Sequence, residues 1–333
     1  MKITGIRAAV AAAMAATVWV QPAAAAEQVD LVLNWVPTAD HSPYYYARAQ
    51  GWYEEAGIDL DIQTGKGSGV SAQRVGAGAS KIGIADMATA LLAKSKGADL
   101  TAVMVVYANS PQGFYWLKSH GITGPADFPG HKIGNPPSDA SRVMWPAFAQ
   151  KVGIDPGSVS FVNVSPQAKM ASLKSGAIDV TTDFYNEHDL KVREFGDDLG
   201  FVAWRDIGIN PYGNAIIVNG DFLKDKPEVV EAFTRVSQRA FAACVQDVTP
   251  CLQALLAAAS GLTEANQRDQ WNRVKELMRD PTTTGTALGA FDPERVAADY
   301  QLVETYFGIE KPFDVTGAYT NDFLDHGIRM TAE

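Results

Sequence analysis

The chain has 333 residues, of which 47% are hydrophobic and 20% charged, a composition typical of a globular protein with a substantial core. Its 38 acidic residues outnumber its 28 lysines and arginines and give a net charge of -10. This charge argues against nucleic acid and anionic membrane surfaces as partners, and the length predicts about two domains.

The N-terminus is typical of a secretory signal peptide. Lys2 and Arg7 form a basic start, residues 8–20 are apolar and rich in alanine, and small residues lead up to Ala26. The apolar run is short for a membrane anchor and is followed by a small-residue cleavage site. We therefore predict removal of residues 1–26 and export of the mature protein to the periplasm.

Short apolar runs alternate with helical patterns, which predicts βαβ units on mostly parallel sheets and an α/β fold class. Strands are predicted at residues 29–33, 58–62, 81–85, 100–106, 132–134, 159–164, 177–181 and 214–218. Helices are predicted at residues 44–56, 71–76, 87–96, 140–152 and 167–174, and the chain is mainly helical after Pro227. Pro146 lies inside the fourth of these helices and should kink it or start a second one.

No internal repeat or low-complexity linker divides the chain, so we predict two α/β lobes that share it discontinuously. Lobe one is assigned residues 27–115 and 214–333, and lobe two is assigned residues 116–213. The two crossings, near residues 116–118 and 212–214, would form a two-strand hinge.

The segment after the first predicted strand carries the strongest functional signal. Asn34, Trp35, Asp40 and His41 lie within eight residues of one another, in a turn that leads into a helix. In open α/β sheets, ligands bind in the crevice beyond the carboxyl ends of the strands. Amide, indole, carboxylate and imidazole groups at that position suit a flat, polar heterocycle.

Three further strand-to-helix turns are candidates for ligand contact. Ser68 lies in the glycine-rich residues 65–69, which favour either an anion at a helix start or a flexible turn. Asp86 either caps the helix that follows it or faces the cleft. Ser138 either shares a capping role with Asp139 or contacts the ligand from lobe two.

The fifth candidate segment, residues 183–189, follows the strand predicted at residues 177–181. Tyr185, Glu187 and His188 make it a dense polar and aromatic patch. Its simplest interpretation is a solvated helix start whose acidic residues favour the helix dipole. The functional alternative is direct contact with a ligand.

The two cysteines, Cys244 and Cys251, flank a turn between two helical patterns. In an exported protein a lone pair predicts a disulfide, with two free thiols or a metal site as the alternatives. No Cys/His cluster with ligand spacing accompanies them, so no metal is expected. The chain also lacks the nucleophile-elbow and zinc-protease motifs, and no catalytic residue is assigned.

The motifs at residues 33–43, 51–60, 83–87, 175–179 and 319–324 resemble the thiamine pyrimidine synthase-like superfamily. Its bacterial members, like the related alkanesulfonate-binding proteins, are periplasmic substrate-binding proteins of ABC importers. The resemblance covers nearly the whole mature chain. It implies a type II periplasmic-binding-protein fold, in which two lobes close on a ligand.

The fungal enzymes of this superfamily make the thiamine pyrimidine from pyridoxal phosphate and an active-site histidine, with iron. Here the position of the cofactor lysine is Ala85, that of the substrate histidine is Thr89, and residues 213–217 lack the enzyme's cysteines. The resemblance therefore implies no enzyme and no cofactor. It implies that Trp35 stacks on the ligand, and that Glu187 or His188 replaces a ligand-binding glutamate.

We predict a monomeric binding protein that captures a small heterocycle and delivers it to the permease subunits of an ABC transporter. A thiamine pyrimidine precursor is the first candidate ligand. Trp35 and Tyr185 would stack on it, and the polar contacts would come from Asn34, His41, Ser68, Asp86, Ser138, Glu187 and His188. The alternatives are a sulfonate, taurine-like or aromatic anion bound through Arg142 and residues 65–69, and a synthase-type enzyme.

Overall fold

The structure is a computed structural model that describes residue 1, residues 25–307, residue 309 and residues 311–331. The predicted signal peptide therefore lies almost entirely outside the described residues. Within these ranges the chain forms two five-stranded sheets connected by helices.

The first sheet has the strand order β2-β1-β3-β10-β4. Its strand β1 pairs in parallel with β2 and β3, whereas β10 runs antiparallel to both β3 and β4. The strands are β1 (Glu27–Val32), β2 (Ile58–Gln63), β3 (Ile82–Asp86), β4 (Leu100–Val105) and β10 (Asn214–Asn219).

The second sheet repeats this arrangement, with the order β7-β6-β8-β5-β9. Its strand β6 pairs in parallel with β7 and β8, and β5 runs antiparallel to β8 and β9. The strands are β5 (Gln112–Leu117), β6 (Lys132–Asn135), β7 (Ser160–Asn163), β8 (Val180–Phe184) and β9 (Leu199–Ala203).

Four strands of each sheet run in one direction, as predicted, and the fifth, β10 or β5, runs against them because it enters from the other lobe. Gln112, the first residue of β5, lies opposite Phe184, the last residue of β8. Asn214, the first residue of β10, lies opposite Asp86, the last residue of β3. A strand that begins at the carboxyl edge of a parallel sheet has to run in the opposite direction.

The crossings between the sheets differ in part from the prediction. The predicted boundary after residue 115 falls inside β5, which belongs wholly to the second sheet, so the first crossing lies at residues 106–111. The second crossing, residues 204–213, overlaps the predicted one. Backbone hydrogen bonds join the crossings, since Tyr107 N donates to Asn214 O and Gly213 N donates to Tyr107 O. Strands β5 and β9 were not predicted.

Two predicted helices are broken in the structure. The helix predicted at residues 44–56 breaks at Gly51, whose φ of 71° is unfavourable for other residues. The break expected near Pro146 is confirmed, as a new helix begins at Trp145. The helices are α1 (Ser42–Ala49), α2 (Trp52–Glu55), α3 (Ser68–Gly76), α4 (Met87–Ser95), α5 (Ala140–Val143), α6 (Trp145–Lys151), α7 (Lys169–Lys174), α8 (His188–Phe195), α9 (Gly220–Asp225), α10 (Pro227–Gln246), α11 (Thr249–Ala258), α12 (Glu264–Met278), α13 (Pro281–Gly285) and α14 (Pro293–Phe307).

Helices α10 and α11 meet at a corner that a disulfide fixes. Cys244 on α10 and Cys251 on α11 are fully buried and bonded to each other.

In the described part of the chain no single helix has the length and apolar composition to cross a membrane, although α10 and α11, bent by 117°, meet those criteria as a pair.

Replacing both cysteines by alanine should lower the free energy of unfolding by about 2–3 kcal/mol, because the bond closes a short loop that restricts the unfolded chain. Urea denaturation of the oxidised protein and of the double variant measures the difference. Wild-type protein kept reduced is the control and should resemble the variant. Equal unfolding midpoints in all three samples would contradict this role of the bond.

Candidate functional site

A cavity lies between the facing edges of the two sheets. Both lobes contribute to its walls, which are formed by Asn34, Trp35, Thr38, Asp40, Gly67, Ser68, Asp139, Ala140, Lys169, Asp183, Phe184, Asn186 and Glu187.

The wall from lobe one is the polar turn after β1, and His41 orients its amide. The imidazole Nδ1 accepts a hydrogen bond from Thr38 N at 3.1 Å, and Nε2 lies 2.9 Å from Asn34 Oδ1. Burial lowers the pKa of His41, so the ring is neutral and Nε2 carries the proton that it donates to Asn34. His41 therefore lies behind the wall, and the amide nitrogen of Asn34 is the group left for a ligand.

Asp40 completes this wall with a carboxylate that is 3% exposed. Its Oδ1 accepts a hydrogen bond from Thr38 Oγ1 at 2.6 Å, and its Oδ2 accepts one from Asn214 Nδ2 at 3.3 Å. Neither donor is charged. The negative charge of Asp40 is thus held by neutral groups at the edge of the cavity.

The wall from lobe two centres on Lys169, a buried lysine that sequence reasoning missed. Its Nζ donates to Asp139 at 3.2 Å, to Asp183 at 3.0 Å and to the carbonyl of Thr182 at 2.5 Å, so its three N–H groups are all used. Burial opposes its charge, but the carboxylates of Asp139 and Asp183 outweigh burial and raise the pKa of Lys169. Lys169 is therefore a protonated, fully hydrogen-bonded ammonium group.

The two walls touch each other in this closed conformation. The Lys169 ammonium lies 4.6 Å from the ring centroid of Trp35, which comes from lobe one. Beside it, Gly69 N donates to Ser138 O at 3.2 Å. A side chain at Gly67 would lie 2.2 Å from the same carbonyl oxygen, so the close approach of the lobes requires glycine there.

Glu187 and Asn186 supply further acceptors to the cavity. Burial and the nearby charge of Asp183 raise the pKa of Glu187, although Lys191 lies 3.6 Å away. Asn186 is 3% exposed, and its Oδ1 accepts no hydrogen bond from the part of the chain that the structure describes. These are the groups of lobe two that a ligand N–H could reach.

Tyr185 and His188, predicted as ligand contacts, lie outside the cavity lining. The ring of Tyr185 lies between the guanidinium groups of Arg205 and Arg273, at 4.2 and 5.0 Å from its centroid. His188 packs instead against Phe201, with ring centroids 4.6 Å apart. In the one-turn helix Tyr185–Glu187, each side chain is rotated about the helix axis relative to the side chain before it. The side chains of residues 185–188 therefore cannot all face the ligand.

Arg273 on α12 connects the lobes at the outer edge of the cleft. Its guanidinium donates to both carboxylate oxygens of Asp189 at 2.8 and 2.9 Å, and to Tyr185 Oη at 2.8 Å. We call this group of three residues the Arg273 latch. None of the three lines the cavity.

The remaining predicted residues divide between the cavity wall and the supporting structure. Ser68 lines the cavity, and its Oγ accepts a hydrogen bond from Asp86 N at 3.0 Å. Asp86 itself is buried behind it, where it caps α4 through Thr89 N and accepts a hydrogen bond from Gln112 Nε2 at 2.9 Å. Ser138 lies outside the lining and contacts the other lobe through its carbonyl oxygen.

The residues assigned to an anion do not meet at the cavity. Arg142 lies outside the lining, donates to Asn163 Oδ1 at 2.7 Å and stacks over Phe161. Among the described residues, no group of three or more His, Cys, Asp or Glu side chains is placed to hold a metal. The positions that carry the lysine and histidine of the fungal enzymes, Ala85 and Thr89, are buried and lie outside the cavity lining.

Residues 38–248 match the NMT1/THI5 like family, which is more than half of the chain. The chain belongs to this family. The resemblance predicted from its motifs is thereby confirmed.

Two curated relatives and one solved structure show how widely the similarity extends. The chain is 23% identical over 303 residues to the formylaminopyrimidine-binding protein of Halalkalibacterium halodurans, covering 89% of this chain and 91% of the relative. It is 24% identical over 304 residues to the 4-amino-5-hydroxymethyl-2-methylpyrimidine phosphate synthase of Legionella pneumophila, covering 89% and 92%.

The solved structure is the alkanesulfonate-binding protein SsuA from Xanthomonas axonopodis pv. citri bound to MOPS. It superposes with a TM-score of 0.71 at 15% identity, over 90% of this chain and 99% of that protein. Together with the two mixed sheets, this superposition confirms the predicted periplasmic-binding-protein fold.

Proposed function

We propose that this protein is the substrate-binding component of an ABC importer and captures a small, flat, amino-bearing heterocycle between its lobes. The observation that carries the proposal is that Trp35 of lobe one lines the same cavity as the acceptor groups of Asn186 and Glu187 of lobe two. A planar ring can stack on the indole, while its amino groups reach Asn186 and Glu187. The relative named as a formylaminopyrimidine-binding protein supports this class of ligand.

Binding without catalysis is favoured by the state of the lysine in the cavity. A Schiff base requires a neutral amine, but Lys169 is protonated and donates all three N–H groups to neighbours. Ala85 and Thr89 offer no substitute for the enzyme's reactive groups. We therefore propose a binding role here, although the Legionella relative is named as a synthase.

The anion alternative has less support than the heterocycle. A sulfonate is held best by a cation or by several free donors, but the N–H groups of Lys169 are used, Arg142 is outside the cavity, and the remaining side-chain donor named above is the amide of Asn34. Export to the periplasm after removal of residues 1–26, a monomeric state and delivery to a permease remain part of the proposal. They follow from the sequence of the N-terminus and from the family.

A thermal-shift screen of the mature protein tests the proposal. Aminopyrimidines should raise the melting temperature more than taurine, alkanesulfonates, riboflavin or pyridoxal phosphate, because a ligand stabilises the state that binds it. Trp35→Ala should weaken the best ligand about 10–100-fold, the usual effect of losing one stacked ring.

Trp52→Ala is the matched control, since Trp52 packs on α2 against Tyr46 and Arg239, away from the cavity. This control should bind like the wild type. Failure of every compound to shift the melting temperature, or equal affinities of the two tryptophan variants, would overturn the proposal.

A further inference from the structure

We infer that the ligand bound at this site carries a positive charge, as a protonated or quaternised amino heterocycle. This inference rests on the proposed function and narrows its ligand class. It depends on the balance of charges around the cavity, on the contact between the Lys169 ammonium and Trp35, and on the unused acceptor Oδ1 of Asn186.

Carboxylates outnumber cations around the cavity. Four acidic side chains line it, Lys169 is the lysine among the lining residues, and Lys191 lies behind Asp183 at 2.7 Å. Four carboxyl groups therefore face two ammonium groups, so acidic groups are in excess by two. The acidic residues are Asp40, Asp139, Asp183 and Glu187.

The four acidic groups differ in their partners. Asp139 and Asp183 are paired with Lys169, and Lys191 lies 2.7 Å from Asp183 and 3.6 Å from Glu187. Asp40 accepts hydrogen bonds from the neutral groups of Thr38 and Asn214. Asp40 comes from lobe one and Glu187 from lobe two, so closure brings two carboxylates to one cavity. His41 adjoins Asp40 but is held neutral by burial and does not balance it.

The structure also shows which kind of group the indole accepts. The Lys169 ammonium lies against the indole of Trp35, at 4.6 Å from its ring centroid. Aromatic faces attract cations, and tryptophan does so most strongly. A cationic ring that stacks on the part of the indole left exposed gains the same kind of attraction, which a neutral ring lacks.

A third observation comes from a buried acceptor. Asn186 lines the cavity with an Oδ1 that has no hydrogen-bond donor in the described chain. An amino group on the ligand supplies that donor, and the positive ring polarises its N–H bonds. Such a ligand relieves the repulsion between Asp40 and Glu187 only when the lobes are closed, so it favours closure.

Two probes of one shape and different charge, with a larger anionic probe beside them, test the inference by titration calorimetry at neutral pH. They are para-amino-N-methylpyridinium, which is a permanent cation, its uncharged isostere para-methylaniline, and the anion para-aminobenzenesulfonate. The cation should bind about tenfold or more tighter than the isostere, and its advantage should shrink as salt is raised. The anion should bind most weakly.

Glu187→Gln keeps the shape of the side chain and removes one charge, so it should reduce the cation's advantage several-fold. Glu54→Gln, the same change at an exposed position on α2, should leave that advantage intact. A cation that binds no tighter than its isostere, or not at all, overturns the inference. The proposed function then still stands if an uncharged aminopyrimidine raises the melting temperature, and it fails if no compound of the wider screen does.

Discussion

Replacing Lys169 by methionine is expected to lower the free energy of unfolding by about 3–5 kcal/mol, which is the usual cost of removing one partner from a buried ion pair. The variant removes the ion pair of Asp139 and leaves the buried carboxylate of Asp183 paired with Lys191. Methionine retains most of the side-chain volume, so the loss reports on charge rather than on packing. Chemical denaturation at neutral pH measures it.

Lys174→Met is the matched control on the same helix. Lys174 is an exposed lysine whose partner is Glu194, and exposed pairs contribute about 0–1 kcal/mol. We expect the control to unfold near the wild-type midpoint. A Lys169 variant as stable as this control would show that the buried network does not need its ammonium.

Replacing Asp299 by asparagine is expected to remove much of the pH dependence of stability between about pH 4 and pH 8. Asp299 is 4% exposed and accepts a hydrogen bond from Tyr212 N, in the second crossing, at 3.0 Å. Burial raises the pKa of Asp299 to about 8, and the nearby charge of Asp86 adds to the increase. The hydrogen bond from Tyr212 N and the charge of Arg295 oppose the increase.

The folded protein therefore keeps a proton on Asp299 that the unfolded chain releases above about pH 4. The stability contributed by this group is complete below that pH and is lost as the pH rises through about 8. The free energy of unfolding should fall by about 1.4 kcal/mol per pH unit across this window. Burial also raises the pKa of Asp86 to about 6. Asp86 therefore adds a similar decrease of the free energy of unfolding per pH unit between about pH 4 and pH 6.

Asp299→Asn should accordingly be more stable than the wild type at pH 8, by about 4–5 kcal/mol if the shift is fully expressed, and similar to it near pH 4. Urea denaturation at several pH values measures the two slopes. Asp225→Asn, at an exposed position at the end of α9, should follow the wild-type slope. Parallel curves for wild type and Asp299→Asn would contradict the assignment.

The fold was largely predictable because local sequence patterns mark most of its strands and helices. Eight of the ten strands in the described chain were expected from short apolar runs between turn residues. Strand β5 was missed although it is as fully buried as the predicted strands β3 and β10; it contains Gly113, a residue type that is depleted in strands. The boundary between the lobes was misplaced because β5 was not recognised.

The candidate site was predictable only where it depends on one segment. Asn34 and Trp35 line the cavity as the strand-end rule predicts. Lys169 gave no signal, because its partners Asp139 and Asp183 are 30 and 14 residues away in the sequence. Tyr185 was expected at the ligand, but its ring contacts the guanidinium groups of Arg205 and Arg273. Arg273 comes from α12, so its contact with Tyr185 is revealed only by the packing of α12 against lobe two.

The Arg273 latch has a consequence for how affinity is divided among ligands. Its three residues join the lobes without lining the cavity, so the latch contributes the same energy to closure whichever molecule is inside. It contributes to how often the empty protein visits the closed state, and this contribution scales the apparent dissociation constants of all ligands by one common factor. Readiness to close and discrimination between ligands thus belong to different residues, and either property can change through mutation while the other is preserved.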